Sequence, residues 1–206
     1  MKKGQKRQQE RALKKRAKRN LALRRAQETR LPSESHHIRA GRGYPIEGCW
    51  TQQDWDQHGL AVIVIARRQP DESLTFGTYL VDYYCLGLKN TFCNANIPSG
   101  EFYRDYLPRI FHDNSPIQIS PALAHELIYG GIGYAAQFGF KPHRDFRLSQ
   151  YILDPPDLYP GSGMVEFGKD GKPFFVAGPH DNVQAIMRQL ARTAGEGNFD
   201  YLAFVG

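Results

Sequence analysis

The chain has 206 residues and a formal net charge of +6, from 27 Lys/Arg against 21 Asp/Glu. Hydrophobic content of 41% with 12% aromatics excludes a wholly disordered chain, and no apolar run approaches the roughly 18 residues of a membrane-spanning helix. The charge is unevenly placed: residues 1–42 hold fifteen Lys/Arg and three Glu, a charge of +12, whereas residues 43–206 hold twelve and eighteen, a charge of −6.

Residues 1–30 are rich in helix formers, with Leu13, Ala17 and Leu21 as a thin apolar stripe. Like charges at Lys14–Lys18 and Lys15–Arg19 repel at i,i+4. The segment therefore reads as a nascent helix that completes where phosphates neutralise it. Lys14, Lys15, Arg16, Lys18, Arg19, Arg24 and Arg25 are the candidate nucleic-acid-binding residues, since each neutralised phosphate releases condensed counterions. With no aromatic and little Asn, the arm reads no base sequence, which favours RNA or the ribosome over a specific DNA site. A membrane surface is disfavoured because no bulky apolar face is present. Pro32, Ser33, Ser35 and Ala40–Gly43 read as a linker, so an arm and linker over 1–42 precede one domain over 43–206.

In the domain, Leu60–Ala66 is a β-branched run suited to a central strand. Pro70 and Asp71 mark a turn, and Leu74–Cys85 reads as the second strand of a hairpin. Phe76, Thr78, Leu80, Asp82 and Tyr84 share one face of it by period two, and both faces are apolar enough to be covered. Asp82 is the exception and requires a partner, with Lys89 a candidate. Leu88–Asn96 reads as a short helix or loop, and Glu101–Phe111 as a helix kinked by Pro108.

The strongest helical pattern follows, with Ser120 as N-cap, Pro121 in the first turn and Gly139 at its end. Gly130, Gly131 and Gly133 in its middle each cost about 1 kcal/mol relative to Ala, which implies close packing against another backbone. Asp170-Gly171 between strand-like runs signals a hairpin. Asp181–Gln184 resembles a capping box opening a helix that stops near Gly195, and Asn198–Val205 reads as a final strand. The order implies an α+β domain with a largely antiparallel sheet packed by helices.

Three stretches resemble segments of an uncharacterised bacterial protein family: Gly77-Thr-Tyr-Leu-Val-Asp-Tyr-Tyr-Cys-Leu-Gly-Leu-Lys-Asn90, Tyr129-Gly-Gly-Ile-Gly-Tyr-Ala-Ala-Gln-Phe-Gly-Phe-Lys-Pro-His-Arg-Asp145, and Gly178-Pro-His-Asp-Asn182. The resemblance implies a bacterial, intracellular setting and one compact domain, and it carries no activity.

Acids and histidines beside turns are the candidate chemistry. Asp82, Glu126 and Asp145 are candidate catalytic residues and metal ligands, for a divalent-metal nuclease needs converging carboxylates to hold Mg²⁺ or Mn²⁺. Each also has a plainer role: a salt bridge for Asp82, a helix-dipole position for Glu126, a helix cap for Asp145. His143 and Asp145 form a weak H-x-D pair, His125 reads as a polar-face or interface histidine, and His36-His37 as exposed linker. Asp181 is explained as a cap, and His180 adjoins it. Cys49, Cys85 and Cys93 show no C-x-x-C spacing, which argues against a disulfide framework or zinc knuckle and fits a reducing cytoplasm. The charged N-terminus lacks the apolar core of a secretory signal. The leading expectation is a cytoplasmic, RNA-binding protein tethered by its basic arm. The alternatives are the metal nuclease and a protein-interaction domain with a nonspecific tail.

Overall fold

The computed structural model describes residues 34–112, 115–159 and 161–202. The predicted nucleic-acid contacts from Lys14 to Arg25 lie outside the described residues. The first described element is helix α1 (Glu34–Arg39), whose Ile38 is buried in the core. Residues 34–39, expected as linker, are thus part of the packed fold, because one apolar side chain anchors an otherwise polar turn.

Strands β1 (Ile46–Gln52), β2 (Leu60–Arg68), β3 (Ser73–Asp82), β4 (Gly87–Pro98) and β5 (Pro116–Ile119) form a five-stranded antiparallel sheet in the order β4-β3-β2-β1-β5. The expected β2–β3 hairpin is present, in register from Leu60 opposite Asp82 to Arg68 opposite Leu74. Its turn is held by the Asp71 carboxylate, which accepts from the Ser73 N–H at 3.1 Å and hydroxyl at 2.7 Å.

The stretch expected as a short helix or loop, 88–96, is instead the body of β4, the longest strand described. Its alternation is obscured by two bulges against β3, and as an edge strand it carries exposed Asn90 and Asn96. Strand β1 had no readable pattern because it ends in two buried polar residues, Thr51 and Gln52. The Gln52 amide continues the ladder where the strands diverge: it donates to the Leu60 carbonyl at 2.7 Å and accepts from the Val62 N–H at 2.9 Å.

Both sheet faces are covered, which explains the unbroken apolar run of β2. Ala61, Ile63, Ile65, Tyr79 and Val81 pack on one face, with Ile38 of α1 and Leu123, Leu127 and Ile128 of helix α3. Val64, Ala66, Leu74 and Phe76 pack on the other, under Phe102, Leu107 and Phe111 of helix α2. Helix α2 runs in three pieces: Ser99–Glu101, a π-helical Phe102–Tyr106 and Leu107–Phe111. Pro108 follows the wide turn, which spares the carbonyl it would otherwise strike.

Helix α3 comprises Pro121–His125, a π-helical Glu126–Gly130 and Gly131–Gln137. The Ser120 hydroxyl accepts from the Leu123 N–H at 3.2 Å, and Gly139 takes φ +78° beyond its end. Two of its three internal glycines have clear packing reasons. A Cβ on Gly131 would lie 2.6 Å from Val81, and one on Gly130 would meet the Phe167 ring. Gly133 has open space beside it.

A short helix, α4 (Phe146–Ser149), follows. The Asp170-Gly171 turn has φ of 52° and 76°, the two positive angles a tight hairpin turn needs, and Lys169 bridges Lys172. Its flanks do not go on to pair as a hairpin. Strand β6 (Phe174–Val176) instead pairs in parallel with β7 (Asp200–Leu202) across helix α5 (Val183–Thr193). The cap of α5 is Asn182, whose side chain accepts from the Ala185 N–H at 3.1 Å, one residue later than expected. The domain is therefore α+β with an antiparallel main sheet.

A close backbone approach lies at Gly87, which has φ +68° and where a Cβ would sit 2.8 Å from both the Gly131 carbonyl and Ala135. Gly87→Ala is expected to destabilise by roughly 2–5 kcal/mol, from left-handed strain plus overpacking. Urea unfolding measures this, and an unchanged midpoint would contradict the packing account.

Candidate nucleic-acid interface

The site is built on a buried ion pair. Arg67 lies on the covered face of β2 with its side chain 3% exposed. It donates to the Ile152 carbonyl at 2.5 Å, the Tyr44 carbonyl at 2.7 Å and the Asp154 carboxylate at 2.5 Å. Asp154 also accepts from the Tyr159 hydroxyl at 3.0 Å, and its carbonyl accepts from Tyr129 at 3.0 Å. The Asp154 N–H donates to His125 Nε2 at 2.8 Å, while His125 Nδ1 lies 2.7 Å from the Pro121 carbonyl. Those two bonds require a neutral ring protonated on Nδ1, and burial holds its pKa below the usual imidazole value. His125 is therefore a buried structural bridge between α3 and the 150s loop, not a polar-face histidine.

Further bonds hold the segment after α3 against the sheet. The His143 N–H donates to the Leu88 carbonyl at 3.0 Å. Tyr79 and Thr91 reach the carbonyl and hydroxyl of Ser149, each at 2.8 Å. Arg42 donates to Leu153 at 2.7 Å and Gln150 at 3.1 Å.

This bracing shapes a cleft of about 460 Å³ between α1, α4 and the edge strand β4. Arg39 contributes from α1, while Arg144 and Arg147 come from the segment around α4. All three arginines are exposed, and Arg39 rests its guanidinium 5.2 Å from the centre of the Tyr151 ring. Thr91, Cys93 and Leu148 contribute less polar lining, and Phe92, 54% exposed, borders it. The cleft lies beside Ser35, one residue into α1, so it adjoins the point where the basic segment joins the fold.

The three carboxylates proposed as metal ligands are not brought together. Asp82 is 7% exposed at the end of β3, where its carboxylate accepts from the Cys85 N–H at 2.9 Å and closes the β3–β4 turn. Glu126 accepts from the N–H groups of Ser162 at 3.1 Å and Gly163 at 3.0 Å, and from the Ser162 hydroxyl, holding the loop beside α3. Asp145 stands at the cleft, 3.7 Å from Arg144 and 3.8 Å from His143. It precedes α4 without a side-chain cap bond. Among the described residues no group of three His, Cys, Asp or Glu is placed to hold a metal ion. Asp82 and Glu126 thus each serve their own turn or loop, while Asp145 stands apart from both at the cleft. The expected Asp82–Lys89 pair is also replaced, since Lys89 bonds Asp181 at 2.6 Å, and Asp181 accepts from the Gly178 N–H at 2.8 Å. Asp181 therefore links β4 to the loop before α5 and does not cap that helix.

The three thiols are free. Burial raises the Cys49 thiol to about 12 and pushes Cys85 higher still. Burial, with Glu34 and Asp145 nearby, raises Cys93 to about 11, so none is a poised nucleophile. No helix among the described residues is long and apolar enough to cross a membrane. No protein-family model matches the chain, and no curated protein or solved structure matches it.

Burial raises the Asp82 carboxyl to about 6, against the pull of Lys89 and the turn N–H groups. A folded-state value above that of an unfolded Asp favours folding fully below about pH 4, and this contribution is lost as pH rises through about 6. Relative to Asp82→Asn, the native protein should lose stability between about pH 4 and 6, on the order of 3 kcal/mol. Urea unfolding across that range tests this, and a pH-independent difference would contradict it.

Proposed function

We propose that this protein binds RNA, with the basic segment of residues 1–30 making most phosphate contacts and the arginine cleft extending them onto the domain. The observation that carries the reading is the placement of Arg39, Arg144 and Arg147 around one cleft beside the start of α1. Residues 43–206 carry a charge of −6, so a uniform electrostatic attraction of the body to phosphate is not available. Local clusters are the means left to it, and Arg144 and Arg147 form such a cluster together with Arg39 of α1. Three free thiols support a reducing compartment such as the cytoplasm, where RNA and ribosomes reside.

The driving force is counterion release, so affinity should fall steeply between low and physiological salt. Deleting residues 1–30 should weaken RNA binding by about a hundredfold or more at low salt and flatten the salt dependence. Fluorescence anisotropy with a labelled oligoribonucleotide, titrated at several salt concentrations, measures both. Full affinity in the deleted protein would contradict the proposal.

A further inference from the structure

We infer that the arginine-lined cleft receives one unpaired nucleotide of a single strand, which makes the protein prefer single-stranded over duplex RNA; this rests on the RNA-binding reading above. The arm itself offers no such preference. It has no aromatic residue and reads phosphate charge, which single strands and duplexes share. A preference for unpaired RNA needs a recess in the folded domain that admits a base and its phosphate together.

The cleft has the dimensions and chemistry for that. Its volume of about 460 Å³ falls in the roughly 300–1,000 Å³ range of small-ligand sites, enough for one nucleotide. A base held in a stacked, paired helix cannot enter it. Guanidinium groups present forked N–H donors that match phosphate oxygens, and three of them line this one recess. The less polar lining from Cys93, Leu148 and Thr91 suits the flat face of a base.

Among the described residues, Asp145 is the lone carboxylate lining the cleft. It repels phosphate and accepts hydrogen bonds, so it orients a nucleotide with the phosphate towards the arginines and an N–H edge or ribose hydroxyl towards itself. The wall bearing Arg144 and Arg147 is braced through His143, Ser149 and Ile152, so the recess is formed before any ligand enters. Phosphate capture by the covalently joined arm would raise the local concentration of the strand at the recess.

The test uses the full-length protein and two probes. The first compares a single-stranded oligoribonucleotide with a duplex of equal length at one salt concentration. The native protein should favour the single strand by about tenfold, the gain of one good base–site interaction. Arg144→Ala/Arg147→Ala should lower single-strand affinity about tenfold and leave duplex affinity within about twofold, because the arm carries the duplex. Equal losses on both RNAs, or no loss on either, would overturn the inference.

The second probe is calorimetric titration with adenosine monophosphate and with adenosine. The monophosphate should bind measurably more tightly than the nucleoside, and the double variant should abolish the difference. Absence of that difference in the native protein would overturn the inference even if RNA is bound. Failure to bind either RNA would refute the arm-based reading, and the mononucleotide titration would then decide the cleft alone.

Discussion

The guanidinium of Arg67 fixes the arrangement on which the rest of the site depends. From one position on β2 it engages the chain before β1 through Tyr44, the chain after α4 through Ile152, and the carboxylate of Asp154. Burying such a group is costly in itself, and the cost is offset only because its nitrogens find acceptors and the carboxylate finds Tyr159 as well. Removing one partner of a buried pair typically costs about 3–5 kcal/mol, far more than an exposed pair contributes. The exposed pairs Arg104–Asp105 and Arg144–Asp145 therefore carry little of the fold. The Arg67 cluster joins residues 87 positions apart in the chain and holds the loop of the 150s onto the sheet.

The position of the cleft follows from that constraint. Because Ile152 and Asp154 are pinned to β2, and Ser149 to β3 and β4, the short helix α4 lies close to the edge strand. Helix α1 is held in turn by buried Ile38, with Arg42 just beyond it bonded to Leu153 and Gln150. Two walls from distant parts of the sequence thus present arginines to a shared recess. The net charge of +6 describes none of this, being the difference between an arm of +12 and a body of −6. On the RNA-binding reading proposed above, the folded part would contribute through where Arg39, Arg144 and Arg147 stand, not through its total charge.

Much of the fold was legible from local pattern. The run at Leu60–Ala66 is strong because it is continuously apolar and β-branched, and the helix from Ser120 to Gly139 because its capping residues mark both ends. Two of the three glycines of α3 are explained by packing, Gly131 against Val81 and Gly87 and Gly130 against Phe167, whereas Gly133 faces open space. Strand β4 was misread because its bulges break the period and its edge position admits Asn and Lys. Strand β1 was missed because Thr51 and Gln52 are buried by virtue of hydrogen bonds that no hydropathy pattern encodes.

The candidate site was much less legible. Asp82, Glu126 and Asp145 were selected as acids near turns, and turns are where carboxylates most often bind backbone N–H groups, as Asp82 and Glu126 do. Arg67 and Asp154 were missed because an arginine ending a strand reads as the start of a polar turn. Arg39, Arg144 and Arg147 were passed over because their proximity is created by tertiary contacts alone. One weak signal was present: the cluster His143-Arg-Asp-Phe-Arg147 packs three charged residues and a histidine around one aromatic.

The central claim is that the basic segment and the arginine cleft form one RNA-binding surface. Ultraviolet crosslinking of the full-length protein to single-stranded RNA, with the modified peptides located by mass spectrometry, tests it most directly. The account predicts crosslinks in residues 1–30 and in the cleft segments 35–39, 91–93 and 144–148. Crosslinks confined to the far face of the sheet around α2, or spread evenly over the domain, would contradict it.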